Sequence, residues 1–309
     1  MRTVAAPARW VWGLSGLVTV AVLAIPGARL IATAGDPWPA QNPNRTVTRT
    51  VTVPQLVTRL DVQTYGTPVQ VTAGPGRLVQ VTETITWNPQ GGWLPGVTQS
   101  VSDGRLTLAD PVCNVNDQCG VSFAVTVPRD VAVTVATEGA PIAVSGAAGA
   151  SLDSGGAPVR ATGTDGALNV TTEGGPLEVD GLTGPLYADT GGGPLLARGV
   201  AAATATVITG GGQALVGLTA APDAVMVSTD GGPGTLAVPG GPYALTADSD
   251  GGPLLVGIAT NPAASRTITI NTGGGPLLVQ SATSGTSASP KVSAPTLPAP
   301  VKIPALGKG

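Results

Sequence analysis

The chain is 309 residues long, carries 18 acidic against 15 basic side chains, and contains no histidine. A Ser/His/Asp or Cys/His nucleophile is therefore impossible, and a zinc site lacks one of its usual ligands. Glycine supplies 45 positions and aromatic rings only 3%, which leaves few of the stacking surfaces that nucleic-acid binding uses.

The first candidate element is Trp10 to Ala28 (WVWGLSGLVTVAVLAIPGA), 19 residues without a charge between Arg9 and Arg29. A helix of that length crosses a bilayer. Arg2 and Arg9 precede it and the first acid is Asp36, so the amino end is expected in the cytoplasm and the body outside. Ala32-Thr33-Ala34 also fits a signal-peptidase site, and cleavage near Ala34 would release a secreted chain instead. Residues 32–45 (ATAGDPWPAQNPNR) read as a linker.

A strand-rich stretch follows. Thr46–Val53, Leu56–Val62, Val69–Val71, Leu78–Trp87, Arg105–Leu108 and Val121–Val127 alternate apolar and polar residues with the period of a strand. NPQGGWLPG (88–96) is expected as a wide turn. These strands should begin the same stack as the repeats beyond them. Cys113 and Cys119, the only cysteines, flank five polar-loop residues, and an exported chain favours a bridge between them over free thiols. In the chain-entropy picture it would stabilise by about 2 kcal/mol.

From Thr137 to Val279 one phrase recurs eight times: a hydroxyl residue, a Gly pair, then alternating aliphatics. It starts at Thr137, Ser154, Thr172, Thr190, Thr209, Thr229, Ser249 and Thr272, with spacings of 17, 18, 18, 19, 20, 20 and 23 residues. The turns are clearest at Thr172/Gly174/Gly175, Thr190/Gly192/Gly193, Ser249/Gly251/Gly252 and Thr272/Gly274/Gly275. Both glycines of a pair are expected to allow the reversal through φ > 0, and the proline that often follows suits a first strand position. Leu177, Val179, Leu195, Leu254, Val256, Leu277 and Val279 then face inward as a solenoid core. One unit buries four or five aliphatics, too little to offset the entropy of ordering about 18 residues, so units must stack. The fold class is all-β: a single-stranded, β-helix-like solenoid of ~18–20-residue coils with two or three strands each, behind one N-terminal transmembrane helix. The tail, residues 281–309, is rich in Ser, Ala and Pro and holds all three lysines (Lys291, Lys302, Lys308) without an acid. It reads as disordered. Residues 32–280 carry nine Arg against eighteen acids, a net −9 that argues against nucleic acid as a partner.

VSFAVTVPRDVAVTVATEGAPIAVSGAAGASLDSGGAPV, with Val-Pro-Arg-Asp at 127–130 and the later T-x-GG-P-L-x-V copies, resembles the bacterial DUF4097 "putative adhesin" β-strand-repeat family across roughly residues 46–280. The resemblance implies an exported β-repeat protein, with no functional residues to carry over.

Carboxylate chemistry is the remaining enzymatic reading, since a glycosidase needs two carboxylates at a defined separation. Glu138, Asp153, Glu173, Asp189, Asp230 and Asp250 could stack near one corner, although exposed turns make solvation their simpler role. No phosphate loop, EF-hand or calcium nonapeptide is present, and no cofactor is expected. The column of Thr and Ser either supports the turns or offers a regular hydroxyl edge to glycans.

The chain therefore divides into a stub and transmembrane signal-anchor (1–31), a linker (32–45), the β-repeat domain (46–280) and the tail (281–309). It is expected to be a non-enzymatic structural or adhesin-like binding module of the cell envelope, with cell-wall glycan or another envelope protein as partner. Rival readings are a carbohydrate-active lyase or hydrolase and an envelope-stress signalling accessory. Mass mapping of the unreduced, purified protein should find Cys113 and Cys119 in one bridged peptide. Two alkylatable thiols would refute the bridge.

Overall fold

The computed structural model describes residues 45–88, 96–110 and 119–282. The candidate transmembrane segment, Cys113 and nearly all of the tail lie outside these residues. Among the described residues no helix is long and apolar enough to cross a membrane. The described chain is all-β, built as two long sheets in which parallel pairing predominates.

The lead-in comprises β1 (Arg45–Thr52), β2 (Arg59–Thr64), β3 (Val69–Gly74), β4 (Gln80–Trp87), β5 (Thr98–Ser102), β6 (Arg105–Ala109) and β7 (Gly120–Pro128). Next come β8 (Ala132–Thr137), β9 (Ile142–Ser145), β10 (Ala150–Asp153), β11 (Val159–Thr162), β12 (Leu168–Thr171), β13 (Leu177–Asp180), β14 (Leu186–Asp189) and β15 (Leu195–Val200). The last are β16 (Thr204–Ile208), β17 (Ala214–Leu218), β18 (Ala224–Ser228), β19 (Gly234–Val238), β20 (Ala244–Asp248), β21 (Leu254–Gly257), β22 (Thr267–Asn271) and β23 (Leu277–Ser281). From β8 onward even-numbered strands join one sheet and odd-numbered strands the other. Each circuit, or rung, thus contributes two strands.

Registers put equivalent repeat positions in line. Leu177 lies between Val159 and Leu195, and Leu195 pairs on to Ala214. Leu177, Val179, Leu195, Leu277 and Val279 are at most 2% exposed, and they share one continuous core with Leu186, Val207, Val227 and Ile270 from the facing sheet. Alternation along each strand puts every second side chain inside.

The lead-in strands join these same two sheets. β2 and β3 form a rung of the repeating kind, with Leu60 opposite Val133 and Val69 opposite Ile142. This copy, Thr64-Tyr65-Gly66-Thr67-Pro68-Val69, escapes the repeat count because Tyr65 and Thr67 replace its expected neighbours. β5 is an unexpected strand. It pairs antiparallel with β6 through Asp103 and Gly104, whose φ angles of 50° and 72° suit a tight hairpin turn.

The far end departs from the expected order. β19 pairs with β23, and β23 with β21, so the eighth repeat is inserted between the sixth and the seventh. The facing sheet repeats the exchange, with β22 between β18 and β20. Insertion buries Ile268 and Ile270 in the interior and leaves the rung of Leu245 and Ala247, with less apolar bulk, at the end. Tyr243 anchors the crossing: it is fully buried and its hydroxyl donates to the Pro239 carbonyl at 2.9 Å.

Assignment of Leu254 and Val256 to the core is consequently corrected. They are 47% and 38% exposed, because β21 is an edge strand with no described rung above it. The shared role expected of each Gly pair is corrected too. Gly174, Gly192, Gly251 and Gly274 take φ of 108°, 118°, 87° and 101° and lie exposed on the outside of the bend. Positive φ does not extend to their partners Gly175, Gly193, Gly252 and Gly275, which turn towards the neighbouring rung.

Leu177→Asp should lower unfolding free energy by at least about 4 kcal/mol, as a carboxylate enters a packed interior. Leu254→Asp should leave the main transition within about 1 kcal/mol. Denaturant melts of the two variants check this, and equal losses would contradict the rung order.

Candidate functional site

Three sets of side chains could do chemistry or binding: the hydroxyl column, the turn acids, and a threonine face on the first strands.

The column is buried. Thr172, Thr190, Thr209, Thr229 and Thr272 are 0% exposed, and Thr137, Ser154 and Ser249 no more than 7%. Each hydroxyl donates to the carbonyl three residues on: Thr172 to Gly175 at 2.6 Å, Thr190 to Gly193 at 2.5 Å, Ser249 to Gly252 at 2.6 Å and Thr272 to Gly275 at 2.6 Å. Turn amides reach across rungs as well, for example Gly192 N–H to the Thr209 carbonyl at 2.6 Å.

Two different constraints select the glycines beside this column. A Cβ on Gly251 or Gly274 would meet nothing within 4 Å, and one on Gly174 only the Gly191 carbonyl oxygen at 4.0 Å. Space is therefore open there, and left-handed backbone alone favours glycine. A Cβ on Gly193 would sit 2.1 Å from the Gly175 carbonyl oxygen, and one on Gly275 2.1 Å from that of Gly232. Close approach excludes a side chain at this second position from Gly175 onward, while the earlier rungs carry Ala140 and Ala157 there. The hydroxyls support turns and present nothing to a ligand.

The acids are also occupied with the turn. Glu173, Asp230 and Asp250 adopt φ of 50°, 47° and 46°, the left-handed state that Gly191, Gly210 and Gly273 hold elsewhere. In rung order Gly191 and Gly210 separate Glu173 from Asp230, and Gly273 separates Asp230 from Asp250. At one strand spacing per rung, Asp230 and Asp250 stand about 10 Å apart. Asp189 Oδ1 accepts from the Gly191 amide at 3.0 Å, as Asp153 does from Gly155 at 3.3 Å. Glu138 precedes Gly139 at the equivalent bend. Among the described residues no group of three metal-ligating side chains converges.

An exposed hydroxyl surface does exist, on strands the sequence reading did not single out. β1 pairs antiparallel with β4, placing Thr46 opposite Thr86, Thr48 opposite Thr84 and Thr50 opposite Thr82. Their hydroxyls meet at 3.1, 3.4 and 3.0 Å. β7 continues this face with Ser122 opposite Thr84. The available signal is the period-two threonine of RTVTRTVT and VTETIT, which taken locally says no more than strand.

The opposite side of β4 faces inward, and there Glu83 is 3% exposed. Its Oε2 has no hydrogen-bond partner among the described residues. Burial pushes the carboxyl above the ordinary carboxylate range, opposed by the charge of Arg49, its neighbour across the strands. The folded chain thus holds this proton more tightly than the unfolded chain does. That contribution is present in acid and is lost as pH rises through the raised value.

Neither a family model nor a curated protein matches this chain, so the DUF4097 likeness stays a resemblance. Solved structures do match. A "putative adhesin" of Parabacteroides distasonis is 12% identical, spans 78% of this chain and 98% of its own, and gives a TM-score of 0.47. One from Parabacteroides merdae is 12% identical over 77% of this chain and 96% of its own, at 0.38. One from Bacteroides fragilis is also 12% identical over 77% and 97%, at 0.34.

Glu83→Gln should raise stability on the order of 1 kcal/mol at about pH 7, with the gain fading towards about pH 4. Melting curves at the two pH values check it, and a pH-independent difference would contradict the buried-acid account.

Proposed function

We propose that this chain is an envelope-exposed β-solenoid that binds cell-wall glycan through the threonine face of β1 and β4, held to the membrane by the helix of residues 10–28. The observation that carries the reading is the paired row of exposed hydroxyls at 3.0–3.4 Å. Along a strand, alternate threonines repeat at about 6.8 Å, and neighbouring strands lie about 4.8 Å apart. Such a face offers donors and acceptors on a rigid, uncharged lattice, which suits a polymer of repeating hydroxyls. Binding needs no catalytic group, and the reading is of a non-enzymatic module. The Cys113–Cys119 bridge and the orientation set by Arg2 and Arg9 belong to the same proposal, because both follow from export.

The test is a pull-down of the full chain with purified cell-wall polysaccharide, beside a Thr48→Val, Thr84→Val variant. Valine keeps the shape and β preference and removes the hydroxyl pair. Affinity should fall by about tenfold, roughly the loss of two hydrogen bonds. Equal binding by both proteins, or none by the parent, would overturn the assignment.

A further inference from the structure

Outward arginines on the two sheets meet different neighbours. On one sheet Arg160 stands opposite Glu178, and the two pair at 3.1 Å. On the other, near the amino-terminal end, Arg59 of β2 stands opposite Arg105 of β6. Like charges directly opposite across strands repel. The carboxylate set between them is Asp61, which meets Arg105 at 3.5 Å. Asp103, on the hairpin turn before Arg105, accepts instead from the Ser102 hydroxyl at 3.2 Å. Among the described residues Arg59 has no ion-pair partner. Two guanidinium groups against one carboxylate leave a positive charge unmatched.

The backbone beneath both arginines is fixed. The Thr58 and Arg59 amides donate to the Gly104 carbonyl at 2.8 and 3.1 Å, and the Ala132 amide to the Thr58 carbonyl at 3.1 Å. Leu60 and Leu106, next along the two strands, are buried, so alternation holds Arg59 and Arg105 outside. On the far side of Arg59 the neighbouring strand offers only Ala132, whose methyl leaves the space beside it open. The result is a depression of about 250 Å³ lined by Arg59, Leu60, Asp61, Arg105, Ala132 and Thr134. That is room for about eight waters, enough for a charged group and part of the unit that carries it.

We propose that this depression binds a singly charged oxyanion carried on a polyol polymer, with Arg59 as its main ligand and Arg105 beside it. A guanidinium presents its N–H groups as a planar fork that matches the oxygens of a carboxylate or a phosphate. One unmatched positive charge suits one negative charge, which a sugar carboxylate and a phosphodiester between polyols both supply. Beyond Ala132 the register leads to Gly149, and beyond Thr134 to Ser151. A shallow track with a floor of small residues and an edge of hydroxyls therefore leaves the arginines along the stack. Polymer units next to the bound anion lie along that track, where their hydroxyls find Thr134 and Ser151.

This site goes beyond the role given to β1 and β4. It lies on the other sheet, and it selects for charge where the threonine face selects for hydroxyls. Residues 32–280 carry nine Arg against eighteen acids, so the field of the body as a whole repels an acidic polymer. Only a local arrangement such as the Arg59–Arg105 pair retains one, and screening by salt weakens that hold.

Calorimetric titration of the full chain with three oligomers tests this: oligogalacturonate for the carboxylate, poly(glycerol phosphate) for the phosphodiester, and dextran as the neutral control. At least one acidic oligomer should bind at least about tenfold more tightly than dextran, and the one that binds identifies the source of the oxyanion. Arg59→Gln should weaken that binding by about tenfold or more, the loss of one charge-assisted contact. Ala132→Ile keeps every charge and suits a strand while filling the depression, and it should cost a similar factor. Arg198→Gln, an outward arginine on the other sheet, should bind as the parent does. Melting curves that superpose on the parent's show that the variants are folded. Binding of neither acidic oligomer overturns the proposal, as does full binding by Ala132→Ile. Equal losses in Arg59→Gln and Arg198→Gln also overturn it, since they mark diffuse attraction. The Thr48→Val, Thr84→Val protein should keep its affinity for the acidic oligomer, so this site and the threonine face stand or fall separately.

Discussion

Everything in this fold depends on how closely one turn can lie on the next. The Gly193 position, with 2.1 Å from a would-be Cβ to the carbonyl below, leaves no room for any side chain. Where that contact is kept, turn amides reach carbonyls of the adjacent rung, the strands fall into register, and the aliphatics of both sheets meet inside. From Gly175 onward a methyl at this corner would run into the carbonyl of the rung below, whereas the first rungs accommodate Ala140 and Ala157 there. Glycine is thus a packing requirement here, and a conformational one at the preceding position.

The threonine and serine column belongs to that constraint. A buried hydroxyl is costly unless bonded, and each of these satisfies a turn carbonyl three residues on. The turn acids follow similar logic: Asp and Glu occupy left-handed positions that glycine fills on other rungs, and aspartate side chains tie down turn amides. Polar groups that look like chemistry in the sequence are therefore committed to holding the backbone. What remains open to a ligand lies on the flat outer faces, and the threonine pairs of β1 and β4 form the most regular of these.

Solenoid ends pose a separate problem, because each rung buries the face of the one before it. Antiparallel strands continue the sheets at the amino-terminal end, where Glu83 is buried and its Oε2 meets no hydrogen-bond partner among the described residues. At the carboxyl-terminal end the exchanged order of the last two repeats places the rung poorer in large aliphatics outermost. Both ends are governed by what can be left exposed.

The repeat, its period, the all-β class and the inward positions Leu177, Val179, Leu195, Leu277 and Val279 were legible in the sequence. Period-two alternation and obligate glycines are local properties, written residue by residue. Four things needed the tertiary structure. Rung order came from competition between Ile268/Ile270 and Leu245/Ala247 for the interior, which no local pattern encodes, and with it came the exposure of Leu254 and Val256. The split within each Gly pair, with Gly174, Gly251 and Gly274 outside and their partners against the next turn, depends on which rung lies below. Burial of the hydroxyl column followed from the same rung-to-rung contact. The threonine face arose because β1 and β4, about 35 residues apart in the chain, pair antiparallel with threonine opposite threonine. Local alternation determines which side of a strand is polar, and only long-range pairing decides which polar sides are brought together.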